Sequence, residues 1–398
     1  MSGVALVTHS TKPRGGLVHT LSLAEALHRR GEPVHLIALG DPSVGLFRPT
    51  DVPHTVLRGP SKQGTTLDER VFLAIDTLAA GLRGLAGRFD VLHAQDCIAA
   101  RAAARVRDAG APVTVVRTVH HVDDFTTRAL IDCQRAAIVE PDRVLVVSEQ
   151  WRGILRDEYG RPAEIVPNGV DLDRFTPVPA DRVAELRASI GAGERFLFLS
   201  VGGVEPRKGS VHAFRALSRL RGVVDPLPVL AVVGGHSFQD YTAYRDAALA
   251  ELPSLGLELG SADARSAGAP RGDVVLLGTV SEADLGGWYA AADAFAFPSV
   301  KEGFGLVVLE AMNAGLPVVA SDLPVFTEYL VDGVNALLPP VGDEGTLAAA
   351  MHLLAADPAL RERLRTGGRA VLPRFTWDAS AARHQEVYAS VRAGVPVG

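Results

Sequence analysis

Pro298-Ser299-Val300-Lys301-Glu302-Gly303-Phe304-Gly305-Leu306-Val307-Val308-Leu309-Glu310 changes character twice within thirteen residues. The apolar run Ala294–Phe297 before it has the length and composition of a buried strand. A polar turn carrying Glu302 and two glycines follows, and a helical pattern opens near Gly305. Another short apolar run, Val318–Ala320, comes next. Strands that are apolar on both faces and separated by helices specify a parallel sheet covered on both sides.

The same rhythm extends outward in both directions. Runs at 196–201, Val229–Val233 and 274–277 precede this stretch, with amphipathic segments between them. An earlier series holds Val4–Thr8, 33–39, Val91–Ala94, 113–119 and 143–147, with helical patterns at 17–30, 68–85 and 127–138. Between the two series, Val166-Pro167-Asn168-Gly169-Val170-Asp171 and then Pro177 and Pro179 interrupt the pattern. The expectation is an α/β chain with two doubly wound, Rossmann-like domains, 1–168 and 169–376. A terminal helix in 377–398 is expected to cross back to the first. Residues 253–272, rich in Gly, Ala, Ser and Pro, read as a long surface loop.

Composition narrows the function classes. The chain has 398 residues, 47% of them apolar, and a net charge of −6. Residues 1–170 carry 20 basic and 19 acidic residues, and the remainder 20 and 27. Neither half is a polycation, which argues against a nucleic-acid partner. Two cysteines make neither a disulfide framework nor a zinc quartet. No apolar run approaches the ~20 residues that span a membrane, and the N-terminus reads as a strand, so the expected location is cytoplasmic. Arginines on several N-terminal helices leave weak docking to a membrane surface open. Of 40 basic residues only Lys12, Lys62, Lys208 and Lys301 are lysines; three of the four stand beside candidate ligand loops.

Chemistry concentrates where the rhythm turns. Glycines at a strand-to-helix turn let a ligand approach the backbone, and the free amides of a helix start suit anions or sugar oxygens. A carboxylate such as Glu302 or Glu310 can accept hydrogen bonds from two vicinal hydroxyls. Two glutamates eight positions apart around Glu302-Gly303-Phe304-Gly305 resemble the signature of retaining glycosyltransferases of family 4. Nearly the whole chain, from residue 4 to about 390, follows that family's motif order.

The resemblance implies a GT-B architecture, two facing Rossmann-like domains with a donor cleft between them, and it assigns roles. Gly15 and Gly16, in Thr11-Lys12-Pro13-Arg14-Gly15-Gly16, match the loop under the donor phosphates. His120, in Arg117-Thr118-Val119-His120-His121, matches the catalytic histidine that touches the donor sugar; His121 stands where an Asp is frequent. Lys208, in Gly202-Gly203-Val204-Glu205-Pro206-Arg207-Lys208-Gly209, matches the cation on the diphosphate. The family's usual Arg is Gly203 here, and Arg207 is a candidate replacement. Glu302, Gly303, Phe304 and Gly305 would hold the sugar, Glu310 the ribose, and Gly278 with Thr279 the base, though these last two could equally form a plain turn. His120, Glu302 and Lys208 are the residues expected to bear on catalysis.

The expected function is metal-independent, retaining transfer of a hexose-type sugar from a nucleotide-diphosphate sugar to an acceptor hydroxyl. The leaving diphosphate acts as base, and no cofactor is needed. The acceptor (a sugar, a small molecule or a lipid-linked group) is expected on the N-terminal domain, near Arg48, Arg58, Lys62 and Arg70. Asp171-Leu172-Asp173 spells a metal motif of another glycosyltransferase architecture but does not stand at a strand end. The first strand lacks Gly-x-Gly-x-x-Gly, against a nicotinamide enzyme. An epimerase or phosphorylase on the same architecture, and a non-catalytic nucleotide-sugar binder, remain open, as does the oligomeric state.

Overall fold

The computed structural model describes residues 3–12, 15–61, 65–174, 177–235, 240–261 and 272–395. The chain divides into two compact units, Met1–Gly169 with Phe375–Gly398, and Val170–Arg374.

The first unit is a seven-stranded parallel sheet. Its strands are β1 (Val4–Thr8), β2 (Val34–Gly40), β3 (His54–Arg58), β4 (Val91–Ala94), β5 (Thr114–Val119), β6 (Arg143–Val146) and β7 (Glu164–Ile165). They lie in the order β3-β2-β1-β4-β5-β6-β7. Every residue of β1 and β4 is buried, as expected of a sheet covered on both faces. One face packs on the helices Leu67–Arg83 and Cys97–Asp108 through Ile75, Leu78, Ala99 and Ala103. The other packs Leu21, Leu23 and Leu27 with Trp377, Ala381 and Tyr388 of the terminal helix Trp377–Arg392.

The second unit is a six-stranded parallel sheet with β8 (Leu197–Val201), β9 (Val229–Val233), β10 (Leu259–Ser261), β11 (Val274–Gly278), β12 (Ala294–Phe297) and β13 (Val318–Ala320). Their order is β10-β11-β9-β8-β12-β13.

Three strands escape the apolar-run criterion. β3 is an edge strand whose His54 and Arg58 are exposed, so only its middle is apolar. β7 has two residues. β10 corrects the expectation of one long loop at 253–272: Leu259–Ser261 pairs with β11, and a 3₁₀ turn covers Leu252–Leu255. Residues 262–271 lie outside the described residues. A second correction concerns Gly15 and Gly16. They form the first turn of helix Gly15–Arg29 and not a loop before it, so their amides belong to a helix start with unpaired donors. Pro13, Arg14 and Lys62 lie outside the described residues.

Candidate functional site

In an open parallel sheet, ligands bind beyond the carboxyl ends of the strands where the chain order reverses. In the second unit that reversal falls between β8 and β12. The segment after β8 carries Arg207 and Lys208, and the segment after β12 carries Glu302. The two segments are tied by their backbones: the Val300 amide donates to the Arg207 carbonyl at 2.8 Å. Gly209 sits against the end of β12 with φ +65°, and a Cβ there would lie 1.8 Å from the Pro298 carbonyl oxygen. Only glycine allows this approach.

Glu302 is the centre of the arrangement. Its Oε1 accepts from Lys208 Nζ at 2.6 Å, Ser299 Oγ at 3.0 Å and Arg207 Nη1 at 3.3 Å. Among the described residues no donor engages Oε2. Burial alone would raise the carboxyl; the Lys208 and Arg207 charges outweigh it and hold the group below the usual carboxylate range. Lys208 also lies 4.5 Å from the centre of the Phe297 ring, a cation–π contact. The neighbouring Arg207 does not diverge from Lys208. It reaches the same oxygen while its side chain stays 47% exposed, so the two cations converge. Gly203 stands where the family resemblance implies an arginine. It has φ +77°, and a Cβ there would lie 3.1 Å from the Gly235 carbonyl oxygen, a backbone state that favours glycine.

The remainder of the turn is braced from behind. Tyr329 Oη donates to the Phe304 carbonyl at 2.8 Å, and Phe304 itself is buried. Gly305 caps helix Leu306–Asn313 with no side-chain partner. Glu310, in the second turn of that helix, accepts from Arg174 Nη1 on Oε1 and from Tyr289 Oη on Oε2, the latter at 3.1 Å. Gly278 ends β11, its carbonyl accepts from the Gly234 amide at 2.9 Å, and Thr279 beside it is exposed.

In the first unit the reversal lies between β1 and β4. Asp96, after β4, accepts from the His9 amide at 2.8 Å and from Thr8 Oγ1 at 3.0 Å, and caps helix Cys97–Asp108 through the Ala99 amide. His120, after β5, donates through Nε2 to Gln95 Oε1 at 3.2 Å. Burial first, helped by the positive charge of Arg117, pushes its pKa well below the ordinary histidine value. His120 is therefore neutral at pH 7. His19 was not a site candidate on sequence grounds. The structure packs it edge-on to His120 with ring centres 4.4 Å apart, and burial lowers its pKa to about 3.

Other candidates separate from these centres. Arg48 forms a two-pronged ion pair with Glu25 at 2.6 and 2.8 Å, and Arg58 lies 3.8 Å from Asp41 on the surface. His121 faces Asp123 at 3.3 Å. Arg174, Tyr289 and Tyr329 had no sequence signal, because each acts on a motif residue from a distant part of the chain. Among the described residues no three His, Cys, Asp or Glu side chains are grouped to hold a metal ion, and no helix is long and apolar enough to cross a membrane.

Two doubly wound parallel units, each with polar groups at its switch point, define a protein of the GT-B fold class. Similarity to solved structures agrees. The Anabaena protein HepE in complex with UDP and glucose superposes with a TM-score of 0.80 at 21% identity, over 98% of this chain and 100% of that one. The sucrose-phosphate synthase of Thermosynechococcus elongatus gives 0.80 at 22%, over 99% and 100%. Residues 13–174 match the family described as Glycosyltransferase Family 4, and residues 183–371 that described as Glycosyl transferases group 1. The chain is 32% identical to the D-inositol 3-phosphate glycosyltransferase of Xylanimonas cellulosilytica, over 95% of this chain and 92% of that protein. It is 29% identical to the phosphatidyl-myo-inositol mannosyltransferase of Mycobacterium leprae, over 95% and 94%. The chain belongs to the group 1 glycosyl transferases of family 4 and is a glycosyltransferase.

Proposed function

We propose that the protein transfers a hexose-type sugar from a nucleotide-diphosphate sugar to an acceptor hydroxyl, with retention at the anomeric carbon and no metal. The observation that carries this reading is the convergence of Lys208 and Arg207 on Glu302 at the switch point of the second sheet. Lys208 has three N–H donors and Glu302 takes one of them. The others, with the half-exposed Arg207, can meet a diphosphate, whose charge grows as it leaves. Glu302 Oε2 is then available to a sugar hydroxyl, and Glu310 to a ribose. His120, Gly15 and Gly16 keep the roles that the family resemblance gives them.

In the proposed step, the bond from the anomeric carbon to the diphosphate oxygen breaks. The bond to the acceptor oxygen forms on the same face. The acceptor proton passes to the departing diphosphate, so no side chain need become a covalent nucleophile. The names of the curated relatives make a phosphorylated inositol the first acceptor to test.

A thermal-shift panel of UDP, GDP, ADP, dTDP and their sugars identifies the donor, because a ligand that binds only the folded chain raises its apparent stability. Nuclear magnetic resonance of the product then reads its anomeric configuration. An inverted product overturns the retaining mechanism, and donor turnover without acceptor-dependent product overturns transfer.

A further inference from the structure

Glu310 is fixed from a part of the chain that its own motif does not include. Its side chain is 9% exposed and that of Arg174 is 17% exposed. Arg174 stands in the turn after Asp171 and places Nη1 on Glu310 Oε1. Its Nε donates at 3.0 Å to Glu282 on helix Glu282–Ala291. That helix also carries Tyr289, the donor to Glu310 Oε2. The turn is bound to the Glu310 helix a second time, through Asn313 Nδ2, which donates to the Asp171 and Leu172 carbonyls at 3.3 and 3.1 Å.

A single guanidinium thus spans carboxylates on two helices. Burial alone would lower the pKa of Arg174; Glu310 and Glu282 outweigh it and raise it. A lysine ammonium, a point charge on a flexible stem, could not reproduce this span. An ionised carboxylate has about four acceptor positions. Among the described residues Arg174 and Tyr289 occupy one on each oxygen, which leaves one on each oxygen for a ligand.

We propose that Arg174 is a positioning residue for the donor. It holds Glu310 in the one orientation in which its two remaining acceptor positions match the vicinal hydroxyls of a nucleotide ribose. The inference rests on the ribose role of Glu310 and assigns the group that makes that role selective.

The test compares UDP with 2′-deoxy-UDP, and GDP with 2′-deoxy-GDP, by calorimetric titration of the full chain as wild type, Arg174→Ala, Arg174→Lys and Glu310→Gln. Wild type is expected to prefer the ribonucleotide about tenfold, the value of one well-made hydrogen bond to a charged group. Arg174→Ala is expected to reduce that preference to less than about threefold, leaving deoxynucleotide affinity nearly unchanged. Arg174→Lys should fall between the two, and it carries the same test should the alanine variant not fold. With a working donor, Arg174→Ala should raise KM while kcat stays close to wild type. A full ribose preference in Arg174→Ala, where Glu310→Gln has lost it, overturns the positioning role alone. A preference that survives Glu310→Gln overturns the ribose reading and this inference with it. Tighter UDP binding by Arg174→Ala would make Arg174 a competitor for Glu310 and also overturns the proposal.

Discussion

Lys208 Nζ lies 2.6 Å from Glu302 Oε1, and the two side chains are only 10% and 7% exposed. A buried ion pair gains little over an apolar pair of the same shape, but removing one partner strands the other. Lys208→Met is therefore expected to destabilise the ligand-free chain, with a buried carboxylate left to Arg207 and Ser299. Glu302→Gln should destabilise it as well. The double variant should cost at least about 1 kcal/mol less than the sum of the two, the coupling of a contacting pair. Denaturant unfolding of the four proteins measures this, and strict additivity would contradict the pairing.

The same lysine should matter more to the ligand than to the fold. Lys208→Ala is expected to weaken binding of the nucleoside diphosphate found in the thermal-shift panel by about 10–100-fold, the value of a charge-assisted contact. Arg207→Ala should weaken it less, because that side chain is half exposed and solvent screens it. Calorimetric titration reads both. If affinity in Lys208→Ala stays within a few-fold of wild type, the phosphate assignment is wrong.

Gly209→Ala tests the packing that brings these loops together. The new methyl would meet the Pro298 carbonyl at 1.8 Å, in a backbone with φ +65°. Both effects force the two segments apart, and the expected loss is at least about 2 kcal/mol. Because Lys208 is the preceding residue, nucleotide affinity should fall too. A stable Gly209→Ala chain with wild-type affinity would show that the close approach does not position the cation.

The parts of this arrangement that were legible in the sequence are those written in local order. β1, β4 and β12 are short apolar runs bounded by turns, and Glu302 and Glu310 are eight positions apart on a strand–turn–helix. What was not legible depends on distance along the chain. Arg174 meets Glu310 across 136 positions, and nothing about an arginine after Asp173 announces that partner. His19 repeats the lesson. On an amphipathic helix it reads as a packing or surface residue, and only the fold brings His120 against it. The absent arginine at Gly203 was visible, but the left-handed backbone there, near Gly235, was not. β3 was missed because an edge strand needs no apolar residues on its outer positions.

In the first unit, Tyr388 on the terminal helix lies 2.7 Å from His93 Nδ1, and Thr118 Oγ1 lies 2.8 Å from Nε2. All three are buried. Tyr388→Phe removes one partner from a ring that water does not reach. The expected loss is about 1–3 kcal/mol, the cost of an unsatisfied buried polar group. Chemical denaturation measures it, and a neutral substitution would mean that the terminal helix is held by its apolar face alone.

Three buried histidines of this unit, with the half-buried His120, should also make its stability depend on pH. Burial lowers His19 to about 3 and His384 to about 4, and drives His93 and His120 well below the ordinary value of 6.5. Each therefore binds fewer protons in the folded chain than in the unfolded chain as pH falls below 6.5. More protons on the unfolded state mean that stability rises with pH. The contribution is fully present above pH 6.5 and is lost as pH falls toward the folded values. Each fully differing group adds a slope of up to about 1.4 kcal/mol per pH unit. His384 is the cleanest of the four to remove. Its Nδ1 donates to the Ser380 carbonyl within its own helix, at 2.8 Å, and among the described residues its Nε2 has no partner. His384→Leu should leave the chain folded and flatten the stability profile between pH 6.5 and 5 by about one proton's worth. Denaturant unfolding at pH 7, 6 and 5 reads the slope directly, and an unchanged slope would mean that His384 titrates alike in the folded and unfolded chains.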